Sequence, residues 1–67
     1  MIGKIIKEER MKLGLSQHEL AKKLNIPRSD ISNWEIGFSQ IGIKNLIKLA
    51  DFFNCSTDYL LGRTTTK

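Results

Sequence analysis

Leu15-Ser16-Gln17-His18-Glu19-Leu20-Ala21-Lys22-Lys23-Leu24-Asn25-Ile26-Pro27-Arg28-Ser29-Asp30-Ile31-Ser32-Asn33-Trp34-Glu35-Ile36-Gly37 is the stretch on which the fold turns. Ser16 stands where a helix N-cap belongs. Glu19, three positions later, completes a Ser-x-x-Glu capping box, in which each side chain takes the other residue's backbone N–H. Leu15 before the cap and Leu20 four residues into the helix form a hydrophobic staple. The helix continues through Ala21 and Leu24 to Asn25, a residue suited to the left-handed conformation that closes helices. Pro27 then fits the first turn of a second helix, where its missing N–H would have had no partner. That helix, about 27–36, puts Ile31 and Trp34 on one side, with Ile26 leading in. Arg28, Ser29, Ser32 and Asn33 fall on the opposite side, and Gly37 ends it.

The flanks read as helices too. Ile2, Ile6 and Leu13, with Ile5 beside them, make 2–13 an amphipathic helix stopped by Gly14. After the loop Phe38-Ser39-Gln40-Ile41, Gly42 serves as N-cap to the most apolar helix. There Leu46, Leu49, Ala50 and Phe53 follow i, i+3, i+4, i+7, and Ile43, Ile47 and Phe52 widen the stripe. So apolar a helix is expected at the centre, packed by several neighbours. Ser56 caps a short last helix, with Asp58 favourable at its positive end and Tyr59, Leu60 and Leu61 before Gly62. No stretch sustains period-two alternation, so the fold class is all-α, with five helices.

Sixty-seven residues allow one small domain, here 1–63 with 64–67 as a frayed tail, and exclude a two-domain enzyme or a TIM barrel. One Cys (Cys55) and one His (His18) allow neither an internal disulfide nor the four ligands of a structural zinc site. The fold must stand on packing, and no cofactor or small-molecule ligand is implied. No apolar run approaches the roughly 20 residues that span a bilayer. Charges interrupt the isoleucines near the start, unlike a signal peptide. With its unpaired Cys the chain is expected in the cytoplasm, and away from membranes. Eleven Lys and Arg against seven Asp and Glu give a formal +4, which suits an anionic partner.

Two helices joined by a very short turn, the second with a polar outward face, describe a helix-turn-helix. The stretch from Leu15 to Ile26 closely resembles the first helix and turn of the Cro/cI-type (XRE) family. Ile31-Ser32-Asn33-Trp34-Glu35-Ile36-Gly37 is similar to the end of its recognition helix. Asn45-Leu46-Ile47-Lys48-Leu49-Ala50 and Ser56-Thr57-Asp58-Tyr59-Leu60-Leu61-Gly62 resemble its last two helices. The resemblance spans about 2–63. It implies a compact five-helix repressor-like domain with the helix-turn-helix at the second and third helices. It also implies a bacterial or phage transcriptional regulator that binds double-stranded operator DNA as a homodimer, bound at the nucleoid. The other reading of the same fold is a module that grips another protein, as an antitoxin or antirepressor does.

By position, the resemblance implies base contacts from Arg28, Ser29 and Asn33, with Ser32 near them. Gln17 and His18 would meet phosphates, as would the loop with Phe38, Ser39 and Gln40, and Lys44 at the start of the fourth helix. Arg10 would pair with Glu35. Chemistry agrees: Arg donates a bidentate pair to guanine, Asn exchanges one with adenine, and their five-residue step is about 1.4 turns. Arg10 also lies on the apolar stripe, between Ile6 and Leu13, where a guanidinium needs an anionic partner.

The chain departs from the family pattern at Pro27, often Ser or Thr in relatives, and at Ile41-Gly42, often Pro-Ser. Asp30 adds a negative charge near the DNA-facing end, where it complements the helix dipole or accepts from a cytosine amine. Blander roles stand beside the sharp ones: Arg28 and Asn33 as solvated surface, Trp34 and Tyr59 as core, Cys55 as a small core residue, and His18 as exposed. Phe52 either completes the core or joins Leu60 and Leu61 in a patch for dimerisation. No nucleophile–base pair, metal cluster or phosphate-binding Gly-rich loop argues for an enzyme.

Overall fold

The computed structural model describes residues 2–67. Its five helices are α1 (Ile2–Lys12), α2 (Gln17–Leu24), α3 (Arg28–Glu35), α4 (Ile43–Phe53) and α5 (Thr57–Leu60), with no strand among the described residues. The local signals act where the sequence places them. Ser16 Oγ accepts from Glu19 N at 3.0 Å, and Glu19 Oε1 accepts from Ser16 N at 2.9 Å. The Ser16 N–H first, and the Ser16 hydroxyl beside it, hold the Glu19 carboxyl below its ordinary pKa.

The positive-φ residues are Gly14, Asn25, Gly37, Asn54 and Gly62, one just past each helix. The N–H that follows each left-handed residue reaches back to a carbonyl of the preceding turn. Examples are Ile26 N to Ala21 O at 3.0 Å and Phe38 N to Asn33 O at 2.8 Å. These are Schellman closures. Pro27 differs from expectation by one position. It is the N-cap of α3, extended at φ −63° and ψ 141°, and supplies no side-chain cap.

One core joins all five helices: Ile6 from α1, Leu20, Ala21 and Leu24 from α2, Ile31 and Trp34 from α3, then Leu49, Ala50 and Phe53 from α4 and Leu60 from α5. Here the structure corrects the sequence reading. No single helix is the hub: α3 packs chiefly on α1 and α2, and α4 on α2 and α5, so α4 is not the central element its apolar stripe suggested. The extra width of the α4 stripe is surface: Ile43 is 76% exposed and Ile47 is exposed as well. Leu13, expected on the α1 stripe, is also exposed, because the turn at Gly14 carries it off the helix face. Lys48 on α4 donates to Leu24 O at 3.0 Å, covering a carbonyl at the end of α2.

A second buried charge went unforeseen. Glu9 on α1 is 4% exposed and accepts from Tyr59 Oη at 2.9 Å, Lys67 Nζ at 2.9 Å and Lys12 Nζ at 3.2 Å. Burial works to raise its pKa, but those bonds outweigh it and hold the carboxyl below its ordinary value. Residues 64–67, expected to fray, have no regular structure, yet Lys67 lies against α1 and the start of α5.

α1 and α3 meet with almost no clearance at Gly3. A Cβ there would collide with Trp34 O and lie 2.9 Å from Glu35 O. Gly3→Ala should therefore cost about 1–3 kcal/mol by forcing the two helices apart. Gly42→Ala is the control, since nothing lies within 4 Å of its Cβ and its φ is −68°. It should be near neutral, within about 0.5 kcal/mol, because the stiffer unfolded chain is offset by the poorer N-cap that Ala makes. Urea denaturation of both variants checks the pair.

Candidate nucleic-acid interface

The site grows outward from an ion pair. Arg10 Nε donates to Glu35 Oε2 at 2.7 Å, and Nη2 to Oε1 at 3.1 Å, a two-pronged contact. The Glu35 side chain is 3% exposed and that of Arg10 11%. Arg10 spends a further N–H on Leu15 O at 2.7 Å, fixing the residue that precedes the α2 cap. One guanidinium thus joins α1, the lead into α2 and the last turn of α3.

Gln17, the first residue of α2, extends this cluster to the surface. Its Nε2 donates to Glu35 Oε1 at 3.0 Å, and its Oε1 accepts from Arg28 Nη1 at 3.3 Å. A primary amide carries two N–H donors, so one remains for an outside acceptor. The side chain expected to meet a phosphate is therefore also the one that ties Arg28 to the interior. Sequence reading missed this bridge. The signal available was Gln17 at the start of one helix and Arg28 at the start of the next.

The other expected contact residues divide into two groups. Arg28, Ser29 and His18 are exposed, and Ser32 and Asn33 are half-buried. His18 and Arg28 line one shallow depression with Ala21, Lys22 and Ile26, so three side chains capable of positive charge converge where α2 meets α3. Lys22 was not singled out from the sequence. Ser39 and Gln40 lie elsewhere, on an apolar groove of about 350 Å³ that also takes in Ile2, Trp34, Ile41, Leu46 and Leu61. Lys44 is exposed at the start of α4.

Two expectations change. Phe38 cannot donate to a phosphate: its ring has no donor, and its N–H is committed to Asn33 O. It contributes an exposed apolar surface instead, at 78% exposure, beside exposed Ile36. Leu60 cannot belong to a dimerisation patch, since it is fully buried in the core. Phe52 is half-buried, its ring edge-on to Phe53 at 5.5 Å between centroids, and Leu61 is exposed.

This arrangement has close counterparts. A family profile described as helix-turn-helix matches residues 6–60. The chain belongs to the Cro/cI-type helix-turn-helix family. It is 45% identical over 62 residues to the HTH-type transcriptional regulator ImmR of Bacillus subtilis, covering 92% of this chain and 49% of that protein. Among solved structures it is similar to the biofilm master regulator SinR in complex with DNA. That match has a TM-score of 0.84 and 34% identity over 91% of this chain and 98% of that one. It is equally similar to the P22 c2 repressor bound to a synthetic operator, with a TM-score of 0.84 and 33% identity over 90% and 91% of the two chains. The chain spans less than two thirds of the length of the curated relatives it matches.

The ion pair generates a direct expectation. Glu35→Ala leaves the Arg10 guanidinium buried without its partner and should destabilise by roughly 3–5 kcal/mol. Arg10→Met fills the same space without charge; it leaves Leu15 O without that donor, and Glu35 keeps Gln17 as one. A chemical-denaturation series should rank Glu35→Ala as the less stable of the two. Equal, small losses would mean the pair is solvated.

Proposed function

We propose that this chain is a sequence-specific double-stranded DNA-binding domain of a transcriptional repressor, which docks α3 in the operator major groove as a homodimer. The observation that carries this reading is the polar face of α3, held by the Arg10–Glu35–Gln17–Arg28 chain of bonds. The likeness to chains solved on DNA supports it.

In that pose Arg28 and Asn33 read base edges, with Ser29 and Ser32 beside them. The spare side-chain N–H of Gln17, the backbone N–H groups of Gln17 and His18 and the His18 ring meet phosphates on one flank. Ser39, Gln40 and Lys44 meet them on the other. One α3 reads only a few base pairs, so affinity comes from two half-sites about 34–36 Å apart. With Leu60 withdrawn, Leu61 and Phe52 remain the interface candidates. A repressor of this kind works in the cytoplasm, at the nucleoid.

Selection of bound sequences from a random DNA pool tests the reading. No enrichment at any salt concentration would favour a protein-gripping module. On the selected operator, Arg28→Ala and Asn33→Ala should each cost about 1–3 kcal/mol and relax selectivity at one base pair. Gln17→Ala should weaken binding to every sequence, and should also blunt discrimination at the Arg28 base pair because it removes the tether. Titrations against operators varied one base pair at a time check all three. Loss spread evenly over the set would make Arg28 or Asn33 a backbone contact.

A further inference from the structure

The DNA-reading face leaves one buried charge without a role. Glu9 lies on α1, away from the Arg10–Glu35 cluster, and its side chain is 6% exposed. It receives Tyr59 from α5 and Lys67 from the segment beyond α5. The Lys67 ammonium also sits 5.6 Å from the centre of the Tyr59 ring, so acid and aromatic face together form its seat.

The same residue closes a gap in the backbone. In α2 the N-cap residue Ser16 donates its N–H to Glu19, the third helical residue. In α5 the equivalent third residue is Tyr59, which takes the Ser56 side-chain cap through its own N–H at 3.0 Å. A tyrosine hydroxyl cannot return the bond as a glutamate does, and this one is already spent on Glu9. The Ser56 N–H goes instead to Lys67 O at 3.0 Å. Lys67 thus supplies what a capping box would, with its side chain anchored on a different helix.

We propose that residues 62–67 form an electrostatic strap, locked by Lys67 on Glu9, that completes the cap of α5 and fixes that helix against α1. α5 has four residues, too few to persist by their own hydrogen bonds. Leu60 burial and the strap hold it in place together. Leu61 follows α5 directly, so the lock also sets how that exposed side chain is presented. This inference stands independently of DNA binding.

Hydrogen exchange at the Ser56 amide, measured by NMR on the full chain, reads the strap directly. Lys67→Ala and Glu9→Gln should each speed that exchange roughly tenfold, the size expected for loss of a charge-assisted bond. Amides in the α4 core should keep their protection. Lys12→Ala is the control, because Lys12 bonds Glu9 but not the strap. It should leave Ser56 unchanged. Ser56 exchange at the parent rate in Lys67→Ala, or in a folded Glu9→Gln, overturns the proposal. Equal acceleration in Lys12→Ala overturns it too, by showing general loosening of α1. Should Glu9→Gln fail to fold, the comparison of Lys67→Ala with Lys12→Ala decides.

Discussion

Glu35 lies at the last turn of α3 and is almost wholly buried, and most of the architecture answers to that fact. A buried carboxylate is tolerated only when its oxygens are bonded and its charge is met. Arg10 does both with two prongs, and Gln17 adds a third bond, to Oε1. The three donors come from α1 and α2, so satisfying one charge orients three helices at once. A well-packed apolar trio could match the stability. It would not tie the first residue of α2 to the first turn of α3, which is what Gln17 does by accepting from Arg28. The interior thereby orders the surface side chains at the starts of α2 and α3.

Among the described residues no helix exceeds 11 residues, below the length at which an isolated helix holds in water. Their persistence is tertiary. The left-handed closures let the chain turn in as few as three residues, at 25–27 and 54–56, so little sequence is lost there to loops and apolar positions recur often enough to fill one core. Where a cap is incomplete, something distant repairs it: Lys48 covers Leu24 O, and Lys67 takes the Ser56 N–H. The first repair uses the long stem of Lys48; in the second the Lys67 backbone carbonyl accepts, while its side chain anchors on Glu9.

The surface is uneven in a way that bears on docking. Positive charge gathers beside α2, at Lys22 and Arg28 with His18 near them. The connection from Ile36 to Ile43 contains no Lys or Arg and exposes Ile36, Phe38 and Ile43. Positive charge is therefore denser on the α2 flank of α3, with exposed Lys44 at the start of α4 standing apart from it. The other flank offers hydroxyl, amide and apolar surface, continuous with the groove that holds Leu61.

How much was readable in advance follows from the range of each interaction. The Ser16–Glu19 box, the Asn25 closure and the polar row of Arg28, Ser29, Ser32 and Asn33 involve residues at most five positions apart, so spacing alone determined them. The Arg10–Glu35 pair was visible because a guanidinium on an apolar stripe demands an acid and the family resemblance named one. What the tertiary structure decided was which apolar and charged groups find partners. Ile43 and Ile47 satisfy the same periodicity as Leu46 and Leu49, but only the packing of α2 and α5 on α4 settles which side is covered. Leu60 and Leu61 are neighbours in sequence, yet one is core and the other surface, because the core meets only one side of that short turn. Glu9 has one local partner, Lys12; the others, Tyr59 and Lys67, are 50 and 58 positions away. Periodicity describes one helix at a time, and burial is a property of several helices together.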